Sequence, residues 1–274
     1  MESRRIHEHW SNWAATYGTG LRATTKTRTA KALEIDALCR RLNSLLGDKT
    51  EARALEVGCG NGINCVALAK ALPNMRFDGV DYVPDMVAAA RENGRAGGVE
   101  ARLRFFVGDA LHLDEIAGLG SAYDLVFTDR CLVNLNTVEQ QKLGITALAA
   151  KLRRGGHLLM IENSLTTYGK QNRLRELLGL PPRQPADFNL FFDETEIRPH
   201  IRATGLELID VEDFLSLHDL MLYVLVPAIN GGAVDYEHPL VQAAAKLNQE
   251  MSATEPGGFG AFGQNRLFVC RNPL

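Results

Sequence analysis

The feature that most constrains the fold is a short apolar strand that runs directly into closely spaced glycines. Residues 55–63 read Leu-Glu-Val-Gly-Cys-Gly-Asn-Gly-Ile, and an amphipathic helix follows at once. A strand, a glycine-rich turn and a helix N-terminus together bring backbone N–H groups close to a bound ligand. The segment therefore predicts a ligand-binding turn at the end of the first strand.

The spacing of the glycines indicates which ligand this turn binds. A dinucleotide-binding pattern, G-x-G-x-x-G, would place its third glycine at Ile63, but the glycine comes one residue earlier. The segment, with Glu56, Gly58, Gly60 and Gly62, resembles motif I (E/D-x-G-x-G-x-G) of the class I S-adenosylmethionine-dependent methyltransferases. The resemblance implies S-adenosyl-L-methionine as the cofactor and these four residues as part of its binding site.

Polar residues after the second and third predicted strands fit the same cofactor. The second strand, 75–80, ends at Asp81, where a carboxylate can accept hydrogen bonds from ribose hydroxyls, and Tyr82 follows against the expected adenine ring. The third strand, 102–107, precedes Asp109 and Ala110. In the family that this chain resembles, such an Asp-Ala pair contacts the adenine ring. The alternatives are that Asp81 caps a helix and that Asp109 caps a turn.

Continued alternation of strands and helices predicts the fold class. A fourth strand at 123–127 is followed by a helix from about Thr137, which we expect to stop at Gly155-Gly156, and by a fifth strand at 157–161. Such alternation implies parallel pairing with right-handed crossovers. We predict an α/β fold, a Rossmann-like seven-stranded, mostly parallel sheet with helices on both faces and an antiparallel last strand.

Two segments compete for the antiparallel seventh strand after a sixth strand at 206–214. One is 221–226 and the other is 266–270, and we prefer the second because many relatives end on such a strand. The preference leaves 215–264 as an insertion. Its expected parts are a helix over 217–225 that stops near Pro227, a helix over 240–251 and a glycine-rich crossing at 257–263.

We predict one domain, 1–274, because the length suits a single core with insertions. Its parts are an N-terminal helical lid at 1–50, a cofactor-binding core at 51–165 and substrate-cap insertions at 166–205 and 215–264. The lid and the insertions lie near the edge where parallel strands end, so we expect them to roof the substrate pocket. A roofed pocket predicts a small-molecule methyl acceptor.

The lid contains the first candidates for contacts with the ligands. The family resemblance makes Tyr17, Arg22 and Lys26 candidates for the cofactor carboxylate or for the substrate. The alternative for the two cations is a solvated face. For the only two tryptophans, Trp10 and Trp13, anchoring of a helix is favoured over stacking on a ligand.

The residues after the fourth strand lie nearest the transferred methyl group in the family. Asp129 is assigned to the cofactor, and Arg130 to an acidic group of the substrate or of the cofactor, since its planar fork binds carboxylates. Asn134 is assigned to the acceptor. The alternative for Arg130 is a pair with Asp129 or a surface acid. The stretch lacks the Asn/Asp-Pro-Pro-Tyr tetrad, which counts against nucleic-acid and glutamine substrates.

Transfer of a methyl group from a sulfonium is an in-line displacement, for which alignment of the reacting atoms can suffice. A base is useful in addition when the acceptor has to lose a proton. His218 is the candidate, since a neutral imidazole is available near neutral pH. The alternative is a surface or capping histidine, and we do not expect the adjacent Asp219 to orient it.

A magnesium site like that of catechol-type enzymes would use Asp129 with Glu162 and Asn163. The flanking sequence does not otherwise resemble that group, and we predict no metal.

Composition sets the remaining expectations. The net charge of −3 and a pI of about 6.2 predict no nucleic-acid partner, and no apolar run is long enough to span a membrane. Five scattered cysteines and a polar start predict reduced thiols, no secretion signal and a cytoplasmic location. The sequence leaves a homodimer open.

The sequence thus predicts transfer of a methyl group to oxygen or nitrogen of a small metabolite. Two other classes remain as alternatives. One is a nicotinamide-dependent oxidoreductase on a related fold, against which the early third glycine counts. The other is a non-catalytic S-adenosylmethionine-binding subunit, against which the intact glycines and Asp81 count.

Overall fold

A seven-stranded sheet in the order β3-β2-β1-β4-β5-β7-β6 organises the chain in a computed structural model that describes residues 3–47, 49, 51–255 and 257–273. The strands are β1 Ala52–Val57, β2 Met75–Asp81, β3 Leu103–Val107, β4 Tyr123–Asp129, β5 Leu152–Asn163, β6 Glu207–Glu212 and β7 Asn265–Arg271. The helices are α1 Ser3–Tyr17, α2 Arg28–Leu46, α3 Ile63–Ala71, α4 Pro84–Ala96, α5 Val138–Ala150, α6 Leu165–Leu177, α7 Glu194–Ala203, α8 Ser216–Leu220, α9 Val226–Ile229 and α10 Pro239–Thr254.

The pairing pattern confirms the predicted fold class. Strands β1 to β5 pair with one another in parallel, whereas β7 lies antiparallel between β5 and β6. The chain order reverses between β1 and β4, and in an open α/β sheet the ligand crevice lies at such a reversal. The glycine turn after β1 therefore lies at the place where a ligand is expected.

The sheet separates two apolar layers because alternate side chains of a strand point to opposite faces. Ala54 faces a core formed with α2, α3, α4 and α10, whereas Leu55 and Val57 face a core formed with α5 and α7. The predicted insertion 166–205 thus contains, besides α6, the helix α7 that packs on the sheet as the crossover from β5 to β6. None of the helices described is long and apolar enough to cross a bilayer.

The end of α5 differs from the prediction. The helix ends at Ala150, and β5 already begins at Leu152, so Gly155-Gly156 does not stop the helix. The glycines instead lie in an irregular part of β5, where pairing with β4 shifts between Tyr123 and Leu125. Gly155 has a φ of +71°, which glycine adopts without strain in such a bulge.

The C-terminal half confirms the choice of the seventh strand and changes the helix before it. The competing segment 221–226 is helical, so the alternative strand is wrong. Helix α8 continues through a π-helical turn, Met221–Leu225, into α9. The helix passes Pro227 and ends two residues later, at Ile229, so it does stop near this proline as predicted.

Candidate active site

A cavity of about 450 Å³ opens at the carboxyl ends of the central strands, and a smaller one of about 140 Å³ adjoins it. The two cavities share a wall, formed by Gly58, Asp81, Tyr82, Cys131 and Asn134. The sequence thus predicted most of this shared wall, which brings together the ends of β1, β2 and β4.

The glycine turn has a backbone that requires glycine. Gly58, Gly60 and Gly62 have φ values of +75°, +52° and +74°, which other residues rarely adopt. A Cβ atom on Gly58 would lie 2.5 Å from the sulfur of Cys131. On Gly62 it would lie 2.9 Å from the Cβ of Ala90, so this glycine also lets α4 pack closely. The turn therefore keeps its backbone exposed to the larger cavity.

Asp81 is buried at the rim between the two cavities and is held by the backbone. Its Oδ2 accepts from the N–H of Gly60 at 2.8 Å, and its Oδ1 accepts from the N–H of Val83 at 3.0 Å. The second contact lies at the start of α4, so the carboxylate also supports that helix. Since a carboxylate oxygen has two lone pairs, each keeps capacity for a further donor. Burial raises the pKa of Asp81 to about 6.

The smaller cavity collects the residues expected around an adenine ring. Tyr82, Asp109 and Ala110 line it. The hydroxyl of Tyr82 is buried and, among the described residues, has no hydrogen-bond partner. Asp109 is exposed, and its Oδ1 accepts from the N–H of Leu111 at 2.9 Å, so it also caps the turn after β3.

Four charged side chains form a buried cluster on the floor of the larger cavity. The Lys31 ammonium lies 2.6 Å from Glu34 and 2.5 Å from Asp129. The guanidinium of Arg130 lies 3.2 Å from Glu34 and 3.4 Å from Asp129. Asn64 adds a donor to Asp129 at 3.0 Å. The cluster joins α2, α3 and the end of β4.

The two cations determine the ionisation of the cluster. Burial favours the neutral acid, but Lys31 and Arg130 outweigh it and lower the pKa of Asp129 to about 2. Burial likewise opposes the charge on Lys31, but Asp129 and Glu34 raise the pKa of this amine above its usual value. The cluster therefore holds two cations and at least one carboxylate, and all but Arg130, which keeps 24% of its side chain exposed, are nearly solvent-free.

Sequence reasoning missed Lys31 and Glu34. A signal was present, because both continue the apolar stripe of α2 that includes Leu38, at spacings of three and four residues. Charged residues on the buried stripe of an amphipathic helix require partners. The partner residues come from a strand end almost a hundred positions later, so the sequence alone did not reveal them.

Arg130 and Asn134 lie where the sequence placed them, at the end of β4. Arg130 has a φ of +58°, an uncommon conformation for a residue with a side chain, and it is a strained point at a ligand site. Its backbone N–H donates to the carbonyl of Ile161 at 2.7 Å. The Asn134 amide donates to the carbonyl of Arg130 at 2.8 Å and accepts from the indole N–H of Trp10 at 3.3 Å.

His218 does not reach the cavity, which corrects its assignment as a base. Its ring is fully buried, with Nε2 2.8 Å from the hydroxyl of Thr29 and Nδ1 2.8 Å from Asp219. Both ring nitrogens are thus used inside the protein. Asp219 orients His218 after all, because Nδ1 lies close to the backbone and a neighbouring carboxylate can curl back to it. Asp219, rather than His218, lines the cavity.

Tyr17 and Arg22 are also away from both cavities. The guanidinium of Arg22 lies over the ring of Tyr17, 5.3 Å from its centroid, and neither residue lines a wall. Lys26 does line the larger cavity, as do His9, Trp10 and Trp13 of the same N-terminal segment. Of the three lid residues that the family resemblance suggested, Lys26 therefore lines a cavity, whereas Tyr17 and Arg22 do not.

The residues of the magnesium alternative are occupied separately. Glu162 accepts from the backbone N–H groups of Leu132 and Val133, both at 3.0 Å, whereas Asp129 is paired with Lys31. Over the described part of the chain, no group of three acidic, histidine or cysteine residues has the arrangement of a metal site.

Glu56 is buried beneath the turn and accepts from Asn64 at 2.7 Å. Burial raises the pKa of Glu56 to about 7.

Comparison with known proteins finds similarity to methyltransferases. A family model described as a methyltransferase domain matches residues 48–179. Ajmaline N-methyltransferase of Rauvolfia serpentina is 31% identical over 138 residues, which are 50% of this chain and 45% of the relative. Malonyl-acyl-carrier-protein O-methyltransferase 1 of Ilyobacter polytropus is 28% identical over 65% of this chain and 58% of the relative. The chain thus spans about half the length of these curated relatives.

A solved structure extends the likeness to the whole fold. The N-methyltransferase NodS of Bradyrhizobium japonicum, in complex with S-adenosyl-L-homocysteine, superposes with a TM-score of 0.57 at 16% identity. The superposition covers 98% of this chain and 99% of NodS, and it shows the fold. The chain therefore has the fold of the class I S-adenosylmethionine-dependent methyltransferases, and just under half of it matches the methyltransferase domain model.

Removal of the Lys31 ammonium tests the buried cluster. Lys31→Met should lower the free energy of unfolding by about 3–5 kcal/mol, because it leaves carboxylates buried without their main partner. Lys170→Met, at an exposed lysine, should change it by less than about 0.5 kcal/mol. Urea unfolding of both variants measures the difference. Equal stability of the two would contradict a structural role of the cluster.

The raised pKa of Asp81 predicts how cofactor affinity depends on pH. Ribose hydroxyls of a bound cofactor would donate to the ionised carboxylate, and ionisation is lost as the pH falls through about 6. The affinity for S-adenosyl-L-homocysteine should therefore be about tenfold lower at pH 5 than at pH 7.5, in proportion to the ionised fraction. Calorimetry of the wild type and of Asp81→Asn measures this. The same pH profile in both proteins would refute the assignment.

Proposed function

We propose that the protein transfers a methyl group from S-adenosyl-L-methionine to oxygen or nitrogen of a small molecule. The observation that supports this most is that the glycine turn and Asp81 open into a cavity that continues under α1 and the loop after α6. The wall beyond the cofactor residues includes Trp10, Trp13 and Phe188. A cavity roofed in this way suits a small acceptor better than a macromolecule.

The residues present fit the cofactor. The cradle tolerates no Cβ atom at Gly58, the carboxylate of Asp81 has spare lone pairs, and the buried hydroxyl of Tyr82 needs a partner. Asp81 would hold the ribose, Tyr82 and Ala110 would contact the adenine, and Asp109 would accept from its amino group. The cluster around Asp129 would face the amino-acid end. The bound cofactor supplies a methyl group that its sulfonium already activates.

The protein then has to align the acceptor and exclude water. Alignment of the reacting atoms is worth about 7–11 kcal/mol in such displacements. Arg130 and Asn134 line the cavity beside Gly58 and would hold the acceptor there. Both side chains are held in place by contacts within the protein, Arg130 by its ion pair with Glu34 and Asn134 by its hydrogen bond to the carbonyl of Arg130. A fixed donor loses little rotational freedom when it binds.

His9 is the imidazole that the structure places on the wall. It lines the larger cavity, and among the described residues no hydrogen bond occupies its ring nitrogens. Its ring packs against Phe188 with the centroids 4.3 Å apart. Burial and the nearby Lys26 lower the pKa of His9, so the ring is neutral near neutral pH and can accept a proton. His9 therefore takes the place of His218 as the candidate base.

Loss of the Asp81 carboxylate tests the cofactor site. Asp81→Ala should weaken the binding of S-adenosyl-L-homocysteine by one to two orders of magnitude, or about 1.5–3 kcal/mol for charge-assisted hydrogen bonds. Asp85→Ala, at an exposed aspartate four positions later, should bind normally. Calorimetry measures both variants, with NADH as a further ligand. Tight binding of NADH in place of S-adenosyl-L-homocysteine would favour the oxidoreductase alternative.

Replacement of His9 tests the base. His9→Phe keeps an aromatic ring against Phe188 but removes the nitrogen, so it should lower kcat about 10²–10⁴-fold for an acceptor that must lose a proton. Cofactor affinity should stay the same, as calorimetry can show. His200→Phe, at a histidine that lines neither cavity, serves as the control. Equal turnover of wild type and His9→Phe would exclude His9 as the base.

A further inference from the structure

We infer that the methyl acceptor is a planar aromatic molecule that stacks in the part of the larger cavity between α1 and the π-helical turn. The inference rests on the proposed function and names the substrate class of the same site. Its main support is the concentration of aromatic side chains on the wall. Both tryptophans of the chain lie there, and they face a cavity rather than only anchoring a helix.

One side of this compartment is a connected group of rings from α1 and the loop after α6. The ring of His9 lies 4.3 Å from that of Phe188, 5.1 Å from that of Trp10 and 5.5 Å from that of Trp13, between centroids. Trp10 is oriented further by its hydrogen bond to Asn134. Rings that support one another offer a large contact area at low entropic cost.

Another part of the wall is Tyr223, which the π-helical turn Met221–Leu225 presents to the cavity. The guanidinium of Arg183 stacks on this ring, 3.5 Å from its centroid. Arg183 is itself held by the side chains of Gln171 and Gln264, at 2.9 Å and 2.8 Å. A π-helical turn often marks a functional site, and here it holds Tyr223 in a fixed place.

Charge argues against an ionic acceptor. Lys31 and Arg130 are paired with Glu34 and Asp129, so the charges on the cavity floor largely cancel. The Asp219 carboxylate on the wall is already in contact with the His218 ring and with the backbone N–H of Gln264. A cationic acceptor would suit tryptophan rings in general. In this protein the ammonium of Lys26 already lies 5.8 Å from the ring centroid of Trp13 and would repel a second cation. A neutral ring that carries a hydroxyl or amino group fits the compartment best.

A pair of compounds that differ only in aromaticity tests the inference. Calorimetry on protein saturated with S-adenosyl-L-homocysteine should detect 2-naphthol, with decahydro-2-naphthol bound at least about fivefold more weakly, because stacking adds to the area buried. Benzyltrimethylammonium serves as the cationic probe. Equal binding of the two alcohols, binding of neither, or tighter binding of the cation would overturn the inference.

A loop variant localises the effect without disturbing a helix. Phe188→Leu should weaken the binding of 2-naphthol about five- to tenfold, whereas Phe188→Tyr should keep it, and both should bind S-adenosyl-L-homocysteine normally. Unchanged affinity of Phe188→Leu for 2-naphthol would place the acceptor elsewhere and overturn the inference. If the wild-type protein did not bind S-adenosyl-L-homocysteine at all, the proposed function itself would be refuted.

Discussion

The ion pair between Lys31 and Asp129 is the interaction on which the organisation of the site depends. A buried ammonium is tolerable only with a carboxylate beside it, and a buried carboxylate has the same requirement. Because the two come from α2 and from the end of β4, their pairing fixes α2 at the carboxyl edge of the sheet. Glu34 extends the same constraint to β7, since it accepts from the side chain of Asn265 at 2.8 Å.

This fixed frame explains why a strained residue can persist next to it. Arg130 holds a left-handed backbone whose cost must be met by surrounding contacts. Its guanidinium lies between Glu34 and Asp129, and its N–H binds the carbonyl of Ile161. The strain turns the chain away from the sheet directly after β4, so that Cys131 fills the space that a side chain on Gly58 would need. The glycine turn and the strained arginine are therefore two parts of one arrangement.

Local patterns predicted the parts of the site that local geometry determines. The glycine turn and Asp81 could be predicted because each lies at a strand end whose place in the sheet follows from the alternation of elements. Lys31 could not, since its partner is distant in sequence. His218 was misassigned because its type suggested chemistry, whereas the packing of α8 decided its burial. Gly155-Gly156 was misread because a glycine pair suits both a helix end and a bulge, and only strand pairing distinguishes them.

The roof of the larger cavity differs from its floor in the kind of side chain that lines it. The floor is ionic and is fixed by contacts within the protein, whereas the roof is aromatic and comes from α1, the loop after α6 and the turn around Tyr223. Ionic groups that are already paired offer little to a new ligand, because any new contact must replace an existing one. Aromatic faces differ, since stacking on a ligand removes apolar surface from water without breaking a bond. Specificity for the acceptor should therefore reside in the roof, and affinity for the cofactor in the strand ends beneath it.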